Sequence, residues 1–350
     1  MKEYPLATWL LAFLSLVCAG FILYLLRGPL FPLVLAVLVS FGFKPLVHSL
    51  RARKIPTAIV VLVVLLCVAG IFAGFSLLLV SEAQSVAEAF PVYQGKLTDL
   101  SDAAFAQLDK LANRYGMEVA PGKMLESIDV SSIAQLVASG LSSVVSITGD
   151  LMMTLLFLVF LLIGSQDFPG KIERAFPPDV SARMREVLGS IDRGVRQYLV
   201  TKTIISLATG LVVTVILLLF RVDFAVSLGL LAFMLNYIPN IGSFVAVVAA
   251  LLVTIVQFES VAMTLVIGAL LIVVQNLVGN VIEPRLMGAK LDLSPLVILV
   301  ALILWGWLWG VWGMFIAVPI TTVVKIICAN IRPLKPFAIL LGGSPPREKG

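Results

Sequence analysis

Residues 236–243 read Asn-Tyr-Ile-Pro-Asn-Ile-Gly-Ser, and they lie inside a stretch, 224–258, that contains no charged residue. As one straight helix that stretch would be about 50 Å long at 1.5 Å per residue, against a hydrocarbon layer of about 30 Å. Its middle is where a helix fails. Pro239 has no N–H to donate, and Asn236, Asn240 and Gly242 leave helical conformation readily. The expectation is a pair of half-helices folded back on one another. A second charge-free stretch, 293–324, is equally overlong and carries Gly-Trp-Leu-Trp-Gly-Val-Trp-Gly at 306–313. Gly306, Gly310 and Gly313 give that break its flexibility. Close helix packing is the rival reading, because Gly306 and Gly310 have small-xxx-small spacing.

The rest of the chain agrees with a bilayer as solvent. Of 350 residues, 60% are hydrophobic and 13% charged, and mean hydropathy is +1.08, which leaves too little polar surface for a water-soluble fold. Six further charge-free stretches (4–26, 28–43, 55–81, 151–166, 203–220 and 260–282) each suit one crossing, the shorter two borrowing flanking polar residues. The fold class is therefore an all-α integral membrane protein with about eight hydrophobic segments, two of them broken re-entrant hairpins, and an outer helical segment. The first stretch reads as a retained span, because it is long and has no A-x-A exit. Cys18, Cys67 and Cys328 are far apart, so no disulfide framework or zinc cluster is expected, and His48 reads as a loop residue.

Counting cations orients the chain. With both overlong stretches re-entrant, 19 of the 25 Lys and Arg fall on the side of the N-terminus, and a full crossing by 293–324 would cut that to 14. Both termini are then cytoplasmic. The divisions expected are spans 1–3 (1–81), an extracytoplasmic helical segment (82–148), span 4 with a cytoplasmic basic helix (149–202), a transport unit of two span-plus-hairpin repeats (203–327) and a tail (328–350). The outer segment carries an apolar stripe from Tyr93 through Leu97, Leu100, Ala104, Leu108 and Leu111 to Tyr115, suited to packing on helices or a partner subunit. On 178–199, Val180, Met184, Val187, Ile191, Val195 and Tyr198 form another, and such a basic amphipathic helix is expected on the anionic leaflet. No folded basic domain for nucleic acid is present.

No P-loop, nucleophile elbow or zinc motif occurs, so no enzyme chemistry and no cofactor or metal is expected. Polar residues inside apolar stretches carry the functional signal, since each needs a partner or water. They are Asn236, Asn240 and Ser243 around the first break, and Gln275, Asn276, Asn280 and Glu283 before Pro284. Asn276, Asn280 and Glu283 are four and three apart and share a helix face. A substrate or ion pathway is one reading of that face, and hydrogen bonds fastening the bundle are the other. Glu283 has Arg285 near it, so a structural ion pair between them is a rival role. Pro239 and Gly242 are expected to tolerate Ala in folding while transport falls. Units 203–256 and 260–327 each read as a span followed by a hairpin, entering from opposite sides, which is an inverted repeat with its site between them.

Four elements then carry a resemblance: PNIGS at 239–243, NVIEPRLMG at 280–288, LSPL at 293–296 and GxxGxFIAVPI at 310–320. With the order of spans around them, the chain resembles the autoinducer-2 exporter family of bacterial permeases. The resemblance implies a multi-pass inner-membrane permease and a homo-oligomer, a pentamer being one candidate. It also implies export of a small signalling molecule or exchange of a monovalent cation for protons; alternating access by the two repeats is the expected mode of transport. The rival from another class is a non-transporting scaffold or regulator of envelope proteins.

Overall fold

The computed structural model describes residues 6–115, 149–164, 168–287 and 293–343. Among them the chain is helical, with no strand and one bridge pairing Leu293 with Gly342. The helices run in order as α1 (Leu6–Leu25), α2 (Arg27–Ala52), α3 (Thr57–Tyr115), α4 (Gly149–Gly164), α5 (Phe168–Ala175) and α6 (Pro178–Leu219). After them come α7 (Ala225–Leu235), α8 (Ile241–Phe258), α9 (Val261–Met287), α10 (Pro295–Asn330) and α11 (Lys335–Leu340). Within α9 the turn Val278–Ile282 is π-helical. Six of these helices are long and apolar enough to cross a membrane, and large side chains such as Leu77, Phe160, Leu219 and Ile303 stand exposed, as lipid-facing surface requires. The all-α membrane fold expected from composition is what the chain adopts.

Two helices are longer than the sequence divisions implied. The third span and the first part of the outer segment are one helix, because α3 runs on without a break through Pro91 to Tyr115. From Leu97 on, the side chains of the expected outer stripe, and residues 116–148 entirely, lie outside what is described. Likewise 178–199 is not a separate helix lying on a leaflet. It is the first half of α6, which continues into the next span. The reason is where its apolar stripe goes: Ile191 and Val195 are buried against Leu38 of α2 and Ile316 of α10, so protein, not lipid, covers them. Asp192 on the same helix pairs with Lys44 at 2.9 Å.

By its contacts the chain divides into two units. One comprises Met1–Cys67, Thr148–Val200 and Ala289–Gly350, the other Val68–Ile147 and Thr201–Gly288. Each contains one of the two breaks.

In the second unit, α7 ends at Leu235 and α8 begins at Ile241. The turn between them is held by Tyr237 N–H to Met234 C=O (3.2 Å), Ile238 N–H to Leu235 C=O (2.9 Å) and Gly242 N–H to Ile238 C=O (3.1 Å), with Asn240 left-handed at φ 61°. A Cβ on Gly242 would sit 1.7 Å from the Leu235 carbonyl oxygen, so the two arms touch backbone to backbone. Ala225, Leu228 and Ala232 of α7 then share a core with Ala246, Val247 and Ala250 of α8, Val213 and Leu217 of α6, and Ile267 and Leu271 of α9.

In the first unit, α10 is interrupted at Trp309 (φ −129°, ψ 16°) and Gly310 (φ 64°, ψ −146°). A Cβ on Gly306 would meet Met314 Cγ at 3.0 Å, and one on Gly313 would meet the Trp305 carbonyl oxygen at 1.9 Å. In a straight helix residues eight apart are separated by about 12 Å along the axis. The glycines thus mark a folded-back hairpin, and close packing of a straight helix is ruled out.

Candidate functional site

A polar cavity of about 210 Å³ opens where the first break meets α6 and α9. It is lined by Lys202 of α6; by Asn236, Ile238, Pro239, Asn240 and Ser243 of the break and the start of α8; and by Gln275, Asn276, Gly279, Asn280 and Glu283 of α9. All seven pathway candidates from the sequence meet here. Of the six helix-break candidates, Pro239 lines the wall, Gly242 holds the hairpin closed behind it, and Pro284 follows Glu283 on an exposed turn. Gly306, Gly310 and Gly313 belong to the hairpin of the other unit.

Each wall is fixed differently. On the break, Asn236 is buried and its Nδ2 donates to Ser206 Oγ at 2.9 Å, while the Tyr237 hydroxyl donates to Thr203 Oγ1 at 2.7 Å. These two bonds tie the hairpin tip to α6. Ser243 Oγ donates to the Asn240 carbonyl at 3.1 Å, closing the first turn of α8. On α9, Asn276 Nδ2 donates to the Ile272 carbonyl at 2.9 Å, and Asn280 Nδ2 donates to Asn276 Oδ1 at 3.1 Å. The shared face expected from α-helical spacing survives at the cavity wall, but through a π-turn that includes Gly279 and Asn280. Such turns recur at functional sites because they turn side chains and loosen the hydrogen-bond ladder.

The charge chemistry differs from the sequence expectation. Glu283 is paired not with Arg285, which is exposed, but with Lys202, whose Nζ lies 2.6 Å from Glu283 Oε1. Arg285 is two positions from Glu283 on a helix, so it projects from another side. Lys202 escapes a reading of charge-free stretches because it falls one residue outside 203–220, at the end of the cytoplasmic division 149–202. A signal for it did exist: Lys202, Ser206 and Thr209 are spaced by four and three, and all three are buried on one face of α6. The Lys202 side chain is 2% exposed and that of Glu283 is 22%. A buried pair of this kind is retained against a large desolvation cost, and in a membrane span it marks a functional position by default.

Lys202 and Glu283 are the charged members of the lining, so the cavity is formally neutral while offering amide donors, amide acceptors and one reachable carboxylate. A cavity of this size suits a small solute. Among the described residues no group of three His, Cys, Asp or Glu could hold a metal ion.

Known proteins share this sequence over nearly its whole length. The family model for AI-2E family transporters matches residues 11–333. The AI-2 transport protein TqsA of Escherichia coli K12 is 32% identical over 314 residues, covering 89% of this chain and 88% of TqsA. A candidate transport protein of Borreliella burgdorferi is 31% identical over 315 residues, covering 89% of this chain and 84% of the relative. The candidate transport protein YhhT of E. coli K12 is 30% identical over 321 residues, covering 91% and 89%. A multi-pass helical chain matched end to end in this way is a membrane transport protein, and it belongs to the AI-2E transporter family.

Proposed function

We propose that this chain is a secondary transporter of the bacterial inner membrane that moves a small polar solute through the cavity around Lys202 and Glu283 by alternating access. One observation carries the reading: a polar, broken-helix cavity set into an otherwise apolar bundle. The break brings Asn236 and Asn240 to the cavity wall, and a site built at an interrupted helix is the general design of secondary transporters. Two solute classes are supported by different parts of the wall. The carboxamides of Asn240, Gln275 and Asn280 suit a neutral signalling molecule, and AI-2 is the solute named for the E. coli relative. The reachable carboxylate of Glu283 suits a monovalent cation exchanged for protons.

The cation count supports a cytoplasmic location for both termini. The proposed assembly is a homo-oligomer, with export as the working direction. Purified chain reconstituted in vesicles tests the proposal directly. Protein-dependent flux of AI-2, Li⁺, Na⁺ or K⁺ supports it, and the absence of flux for all four would leave the envelope-scaffold reading in its place.

A further inference from the structure

We propose that Lys202 is the proton-carrying group of the transport cycle. Its ammonium occupies the Glu283 carboxylate in the empty carrier, and a transported cation takes that place only as Lys202 gives up a proton. The inference rests on the transport reading above and goes further by assigning the exchanged proton to one atom, Lys202 Nζ.

The geometry orders the two groups. Glu283 is 22% exposed and Lys202 is 2% exposed, so a solute entering the cavity meets the carboxylate first and the ammonium second. Anions are therefore disfavoured at the point of entry. A cation is drawn to Glu283, but that carboxylate already holds Lys202 at 2.6 Å.

Displacing a charged Lys202 would leave an ammonium in a nearly closed space without its counter-ion, which is strongly unfavourable. Losing the proton avoids that cost. The Nζ–H bond breaks, its electron pair stays on Nζ, and the proton passes to water in the cavity. Before the step the site holds ammonium and carboxylate; after it, neutral amine, carboxylate and cation. Net charge is zero both times, so one cation is exchanged for one proton.

Glu283 cannot take over this role at equal cost. Protonating it would again strand the Lys202 ammonium. The surroundings offer no substitute. On α9, Arg285 is exposed and is not part of the cavity wall. On the break, the Tyr237 hydroxyl is engaged with Thr203. The first turn of α8 contributes Ser243, and the rest of the polar wall is amides.

The full chain, reconstituted with a pH-sensitive dye inside the vesicles, separates the possibilities using gradients of Li⁺, Na⁺ and K⁺, with cation content measured in parallel. Wild type is expected to exchange at least one of the three for protons at close to one for one. Lys202→Arg keeps the positive charge and the pairing with Glu283 but cannot shed its proton. It should insert and melt like wild type while cation and proton flux both fall at least 20-fold. Lys202→Met removes the competitor, so cation flux should persist without moving protons.

Wild-type exchange rates in Lys202→Arg would overturn the inference. So would proton coupling retained in Lys202→Met, which would move the proton to Glu283. Cation flux without protons in the wild type would overturn it and leave the transport reading standing. If none of the three cations moves, the inference falls, and the transport reading is decided separately by AI-2 flux.

Discussion

The two hairpins solve one backbone problem in the same way and then diverge. In each, a glycine lets one arm press onto a carbonyl of the other: Gly242 onto Leu235 and Gly313 onto Trp305, where an added Cβ would lie 1.7 and 1.9 Å from the oxygen. The first tip is dressed with Asn236, Tyr237, Asn240 and Ser243 and borders a polar cavity. The second is dressed with tryptophans: Trp305 and Trp309 stack at 5.3 Å, Trp307 stacks on Tyr24 at 5.1 Å, and Trp309 Nε1 donates to the Arg27 carbonyl at 2.8 Å. A helix break at membrane depth is thus a folding device first. What makes one of them a candidate transport site is the polar groups gathered round it.

The largest effect expected is on the shared device. Gly242→Ala and Gly313→Ala each force backbone apart, and overpacking of this severity costs about 3 kcal/mol or more. Both variants should show strongly reduced yield and a lowered melting temperature in detergent. The sequence alone suggested that Pro239 and Gly242 would tolerate Ala in folding. For Gly242 the 1.7 Å approach to Leu235 reverses that expectation. Normal folding of Gly313→Ala beside failure of Gly242→Ala would break the equivalence of the two hairpins.

Next comes the chemistry that separates them. Asn280→Leu removes a donor–acceptor pair from the cavity but only one intramembrane hydrogen bond, worth about 0.6 kcal/mol. Transport should fall at least tenfold with little change in melting temperature. At the other tip, Trp309→Phe removes the bond to Arg27, a stability loss of about 1 kcal/mol, and leaves transport within about twofold. If Trp309→Phe abolishes flux while Asn280→Leu does not, the site lies at the aromatic hairpin instead.

The two breaks were legible in sequence because Pro239, Asn240 and Gly310 act locally: each changes what its own backbone can do. So were the cavity residues, since polar groups in apolar stretches stand out one by one. The partner of Glu283 was not legible, because Lys202 is 81 positions away and only the packing of α6 against α9 brings them together. The continuity of α3 and α6 was hidden for a related reason. Charges such as Glu82 and Arg196 look like the ends of spans, whereas a helix that leaves the hydrocarbon has no physical reason to stop there. The π-turn at 278–282 has no local signature in Val-Gly-Asn-Val-Ile beyond its glycine.

The smallest expected effect concerns how the hairpins are anchored at their bases. The second is pinned through backbone, Ser294 N–H to the Leu341 carbonyl at 3.1 Å beside the Leu293–Gly342 bridge. The first is clasped by side chains. Gln257 accepts from the Asp223 N–H and donates to the Arg221 carbonyl, both at 2.8 Å, and the Tyr93 hydroxyl of α3 donates to Asp223 Oδ2 at 2.7 Å. Burial, and then the neighbouring Asp223 carboxylate, push the Tyr93 hydroxyl well above the usual tyrosine range. A group raised in this way contributes stability that is complete below the unfolded tyrosine value of about 10 and is lost as pH climbs beyond it. Tyr93→Phe should therefore cost about 1 kcal/mol near neutral pH, less than the usual value for a bond to a charged acceptor because water screens this partly exposed site. Its disadvantage should shrink as detergent melts are taken from pH 9 to pH 11, because only the wild type has this bond to lose. A difference between the two proteins that stays constant over that range would mean that Tyr93 packs at the hairpin base without its hydroxyl contributing.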